Sequence, residues 1–108
     1  MSKSEIEILR STLADDADMR DLIELFVNDL HLRVDAIHTA LESGNLDEVR
    51  RISHQLRGAS AGFGFAIIGA TAAQVEETIK AVDGQADGMM QVRPLVDQLA
   101  SLCRRVAA

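Results

Sequence analysis

The 108-residue chain has one proline, one cysteine, three phenylalanines and neither tryptophan nor tyrosine. Each scarcity removes a class of protein. A single cysteine, Cys103, cannot close an internal disulfide, and this points to a reducing, cytoplasmic setting. Aromatics at 3% of residues, all phenylalanine, offer too little ring surface for a base-stacking platform. Positive charge is also short: 11 Lys and Arg against 17 Asp and Glu leave a formal net charge of -6. Such an acidic surface is unsuited to nucleic acid, whose phosphates need neutralising, and to anionic membranes. No apolar run approaches the roughly 18 residues of a membrane helix, and Met1 to Arg10 contains no signal-peptide core. Strand-like alternation is missing as well.

Helical periodicity runs through almost the whole chain, and it predicts five helices. The first is short, about Ser4 to Leu13, with Ile6, Leu9 and Leu13 as its apolar positions. One of Asp15, Asp16 and Asp18 is expected to cap the second, about Ala17 to Glu42. That long helix has a stripe of Leu22, Ile23, Phe26, Val27, Leu30, Val34, Ile37 and Leu41. Ser43-Gly44-Asn45 breaks it. The third, about Leu46 to Gly62, carries Val49, Ile52, Leu56 and Ala59, followed by Phe63. The fourth spans about Ala66 to Val82, with Ile68, Ala72, Val75, Ile79 and Val82 on one side. The fifth runs from about Met89 to Val106, with Val92, Leu95, Val96, Leu99, Leu102 and Cys103 facing in. Pro94 falls in its first or second turn, where a missing N–H costs least. Amphipathic helices joined by short loops imply an all-α fold: an antiparallel four-helix bundle with an additional short N-terminal helix, as one domain over residues 1–108.

The third helix stands out. On a helical wheel His54 lies opposite the Ile52–Leu56 stripe, in the company of Asp47, Arg50, Arg51, Arg57, Gly58 and Ala61, so it is expected to face water or a partner. Gly58 sits one turn beyond it on the same face, although a helix-interior glycine costs about 1 kcal/mol relative to alanine. With Ala59, Ser60, Ala61 and Gly62 it clears bulk from beside the imidazole. Arg50, Arg51 and Arg57 make a local basic patch on an acidic protein, suited to an anionic group or an acidic partner pocket. A lone surface histidine is more often simply solvated, and a mid-helix glycine more often serves helix packing. A glycine on the outer face, however, is not explained by packing within the chain. His31 and His38 lack this setting and read as solvated or half-buried. No histidine pair has the close spacing and third ligand that zinc requires, so no metal site is expected. Cys103 reads as a small core residue.

The stretch His54-Gln55-Leu56-Arg57-Gly58-Ala59-Ser60-Ala61-Gly62-Phe63-Gly64 resembles the signature of histidine phosphotransfer (HPt) domains. Leu25-Phe26, Ala40-Leu41, Gly44-Asn45-Leu46 and Val75-Glu76 also sit where that family would place them. The resemblance implies that His54 is phosphorylated on its outer ring nitrogen. It implies a two-component phosphorelay in which the group passes between receiver-domain aspartates. Arg57 would be the basic residue near the group, in place of the usual lysine, and Gly58 the glycine that admits the partner. Many phosphorelay members carry glutamine 22 residues after the histidine; here that position is Glu76, as in members of the chemotaxis-kinase type. A carboxylate there can accept the inner N–H of His54, fix the tautomer and stabilise charge developing on the ring. The plain alternative is a surface glutamate paired with Lys80.

The chain has no Gly-rich phosphate loop or Walker-type lysine, so it is expected to act as a phosphocarrier, not a stand-alone enzyme. It is expected to bind no cofactor of its own, with Mg²⁺ supplied by the receiver. The partners implied are response-regulator receiver domains and a sensor histidine kinase, met by a monomer. Two other readings stay open: the phosphoacceptor domain of a chemotaxis-type histidine kinase, and a helical module that binds receivers without carrying phosphate.

Overall fold

The computed structural model describes residues 8–107. Four helices form the bundle: α1 (Arg20–Glu42), α2 (Leu46–Gly62), α3 (Ala66–Ala81) and α4 (Gly88–Arg104). They pack in sequence order, and α4 closes back on α1. Two-residue strands, β1 (Leu9–Arg10) and β2 (Val106–Ala107), pair in parallel with Leu9 opposite Val106.

The apolar stripes meet as expected. Ile23, Phe26, Val27, Leu30, Val34, Ile37 and Leu41 of α1 are buried against Val49, Ile52 and Leu56 of α2 and the matching faces of α3 and α4. Phe26 stacks on Phe63 and Phe65, with ring centroids 4.9 and 5.8 Å apart. Leu22 departs from its expected place: it is exposed, at the edge of the α1 stripe. Leu95 is only half-buried. Cys103 is fully buried, and burial pushes its thiol up to about 12, so it behaves as an inert core side chain.

Local chemistry starts and stops α2. Gly44 adopts φ 72°, and the Asn45 side chain accepts the Glu48 N–H at 3.1 Å, satisfying one of the helix's free donors. At the other end Gly64 adopts φ 85°, which turns the chain into α3.

The N-terminal helix is a correction. Residues 4–7 lie outside the described residues, and residues 8–13 are not helical. Three of their hydrogen bonds go to distant parts of the chain, and the local ones close single turns without continuing into a helix. Leu9 N–H donates to the Arg105 carbonyl at 2.7 Å, Ser11 Oγ to the Phe63 carbonyl at 2.6 Å, and Thr12 N–H to the Gly64 carbonyl at 3.0 Å. Leu9 and Leu13 still pack on the core, but from a strap. The same pairing ends α4 at Arg104, because Val106 belongs to β2. The cap of α1 is a second correction. Asp16 Oδ1 accepts the Asp18 N–H at 2.9 Å and closes a turn, so the helix begins at Arg20 behind Met19, with no side-chain cap.

Gly64 tests this strap. A Cβ there would overlap Ser11 Oγ and stand 2.9 Å from the Thr12 nitrogen, at a φ that L residues rarely adopt. Gly64→Ala is expected to lower the unfolding free energy by about 2–3 kcal/mol in a urea titration. A loss below about 0.5 kcal/mol would mean that the strap yields freely.

Candidate functional site

The site forms where α2 and α3 lie side by side. A Cβ at Gly69 would stand 3.3 Å from the Arg57 carbonyl oxygen, 3.6 Å from the Ala61 nitrogen and 3.7 Å from the Ser60 Cβ. Gly69 and Ser60 are buried, and so is Ser53. Small residues thus let the two helices approach closely. Two turns along α3 from Gly69, in the antiparallel direction, Glu76 arrives beside His54.

His54 is mostly in solvent, with 71% of its side chain exposed, whereas the Glu76 side chain is only 4% exposed. They meet at 2.7 Å, His54 Nδ1 to Glu76 Oε2. Arg57 Nη1 donates to the other carboxylate oxygen, Oε1, at 3.0 Å, and lies 3.4 Å from Glu77 Oε1. Glu76 therefore uses one oxygen for each partner. Burial pushes its carboxyl up, but hydrogen bonds from Arg57 and then His54 outweigh this and hold it below the ordinary carboxylate value. An ionised Glu76 makes Nδ1 the donor, which leaves the Nε2 lone pair facing outward.

The remaining sequence-predicted residues divide into two groups. Arg50 and Arg51 line a cavity of about 410 Å³ together with His54, Gln55, Glu76 and Lys80. Arg51 is tied to Glu48, with Nε 3.0 Å from Oε2. Gly58 and Ala61 are exposed on the outer face and do not line that cavity. A Cβ at Gly58 would meet nothing within 4 Å, so among the described residues no contact calls for glycine there. Glu76 forms no ion pair with Lys80, whose ammonium lies 3.8 Å from Glu77 Oε1 and acts on Glu76 only at longer range. His31 is exposed and His38 half-buried.

Sequence reasoning missed Gly69 and Ser53, and it placed Ser60 among the small residues beside the imidazole, whereas Ser60 is buried against Gly69 of α3. A glycine inside a predicted helix, with a serine facing it across the pair, was the available signal of a close helix crossing. It also missed a link between α1 and α2: Arg33 bonds Asp29 at 2.6 Å and Gln55 Oε1 at 2.7 Å, bridging to the residue beside His54.

Among the described residues, no group of three or more His, Cys, Asp or Glu is arranged to hold a metal ion. No helix among them is long and apolar enough to cross a membrane. The family model of the Hpt domain matches residues 21–108, and the chain belongs to that family. No curated protein and no solved structure matches it. Hpt domains serve histidine phosphotransfer in two-component signalling. They are phosphocarrier modules that meet receiver domains and kinases.

The buried carboxylate predicts a pH signature. Its folded pKa is depressed, so its contribution to stability is complete above the unfolded value of about 4.3 and is lost as pH falls through the lower folded value. Urea titrations taken downward from about pH 6 should show a steeper acid loss in the wild type than in Glu76→Gln. Parallel curves would mean that Glu76 is not held ionised.

Proposed function

We propose that this chain relays a phosphoryl group between receiver-domain aspartates in a two-component phosphorelay, carrying it on Nε2 of His54. The observation that supports this best is the 2.7 Å contact between Nδ1 of the exposed His54 and the buried Glu76 carboxylate. Neutral His54 attacks the phosphorus of an aspartyl phosphate in line. The Nε2–P bond forms, the P–O bond to aspartate breaks, and the aspartate leaves as carboxylate with the bonding pair. The Nδ1 proton stays in place, and Glu76 stabilises the positive charge the ring acquires. Arg57 holds the second oxygen of Glu76 and so fixes the carboxylate's orientation. The aspartyl phosphate and the Mg²⁺ beside it belong to the receiver. The protein acts in the cytoplasm, as a monomer, and is itself no ATP-using enzyme.

The receiver docks on the outer face of α2, where Gly58 and Ala61 leave room for it. An apolar groove of about 310 Å³ between α1 and α2, lined by Leu22, Leu25, Phe26 and Phe63, adjoins this face and offers further contact. Such an interface is transient and modest in size. Glu76 also favours a second reading, the phosphoacceptor domain of a chemotaxis-type kinase. Under that reading a kinase's ATP-binding domain, and not a receiver, phosphorylates His54.

Incubation with a ³²P-loaded receiver is expected to give acid-labile, base-stable label on the wild type and none on His54→Gln. Absence of label with every receiver and kinase tested, while binding persists, would leave a receiver-sequestering module as the better account. Gly58→Gln is expected to slow transfer by at least tenfold with the helical circular dichroism unchanged, since the side chain points into open space.

A further inference from the structure

A phosphoryl group on His54 brings nearly two negative charges next to the ionised Glu76. Some cation must compensate them, and most of those nearby are already engaged. Arg57 is bonded to Glu76 and lies against Glu77. Arg51 is held by Glu48, and Arg33 by Asp29 and Gln55. Lys80 sits near Glu77. Arg50 is different: it is exposed and, among the described residues, takes part in no hydrogen bond or ion pair. It also lines the cavity that His54 lines. Asp47 and Asp83 share a neighbouring hollow with it, but neither forms an ion pair with it.

The helix geometry favours this residue. Arg50 lies one turn before His54 on the same face of α2. Helical side chains lean toward the helix N-terminus, so the imidazole reaches over the turn that carries Arg50. The guanidinium is planar and presents paired N–H groups, which match phosphoryl oxygens.

We propose that Arg50 is the phosphoryl-binding cation of this domain: its guanidinium hydrogen-bonds the oxygens of phospho-His54 within the cavity between α2 and α3. Arg57 then serves the carboxylate, and Arg50 serves the phosphoryl group. The proposal rests on His54 being the phosphorylated residue, as argued above.

The test uses the full chain, phosphorylated with phosphoramidate so that no partner protein is needed, and compares wild type, Arg50→Gln and Arg93→Gln, the last at an exposed residue of α4 that does not line the cavity. The ³¹P signal is followed against pH. Removing the Arg50 cation is expected to raise the phosphoryl group's own titration midpoint by on the order of half a unit, with Arg93→Gln unchanged. Reversible exchange with a receiver is then brought to equilibrium. Arg50→Gln is expected to shift the phosphoryl distribution toward the receiver by about threefold to tenfold. If Arg50 only met the partner's acidic pocket, forward and reverse rates would fall together, with the equilibrium and the ³¹P titration unmoved; that result overturns the proposal. A wild type that takes up no label from phosphoramidate or any receiver overturns the underlying carrier reading instead. Circular dichroism of both variants, whose substitutions are at exposed positions, checks that the bundle is intact.

Discussion

A carboxylate taken almost wholly out of water must find partners, and in this bundle the neighbourhood of His54 is arranged around that need. Glu76 is buried at the seam of α2 and α3, where an uncompensated charge would cost several kcal/mol. Its two oxygens are satisfied by an imidazole and a guanidinium, one turn apart on the facing helix. The consequence runs in both directions. The two α2 side chains keep the glutamate ionised, and the glutamate fixes the orientation of both. An otherwise mobile surface histidine is thereby given one tautomer and one direction without being buried.

That arrangement is set by backbone distance before it is set by charge. Gly69 lies close to the α2 backbone, and even a Cβ there would stand 3.3 Å from the Arg57 carbonyl oxygen, so the neighbouring backbone would have to give way. Two turns farther on, a shift of an ångström would lengthen a 2.7 Å contact past hydrogen-bonding range. The glycine acts on the chemistry only by allowing close approach. Gly58 plays the opposite part on the outer face, where the missing side chain opens space to solvent. Two glycines of α2 and α3 thus flank one site from opposite sides, one closing on the neighbouring helix and one leaving the outer face open.

Much of this was legible in the sequence. The apolar stripes of the four long helices follow from a 3.6-residue period, and the period survives because each helix buries one continuous face. The exposure of His54 and Gly58 follows from the same wheel. Glu76 was singled out by the family resemblance, which its place beside the apolar stripe supported. What was not legible depended on contacts far apart in the chain. Ile6, Leu9 and Leu13 have helix-like spacing, yet the described part of that segment is fixed by Arg105, Phe63 and Gly64. Periodicity carries no information about such partners. Several aspartates before α1 could cap it equally well by chemistry, and the turn at Asp16 to Asp18 uses one of them for itself. Ser53 and Ser60 look solvent-facing by hydropathy, yet both are buried, Ser60 against Gly69 of α3.

The pairing of β1 with β2 brings Leu9 alongside Val106, so the described chain returns to its starting point and makes nearly a closed ring. A short peptide leading from β2 back into β1, with the chain opened in the Gly84 turn, would reorder the helices along the sequence without moving any of them. In such a permuted chain α2 and α3 remain consecutive, so His54 and Glu76 keep the same connection between them. The phosphotransfer chemistry would then be separable from the order in which the bundle is threaded.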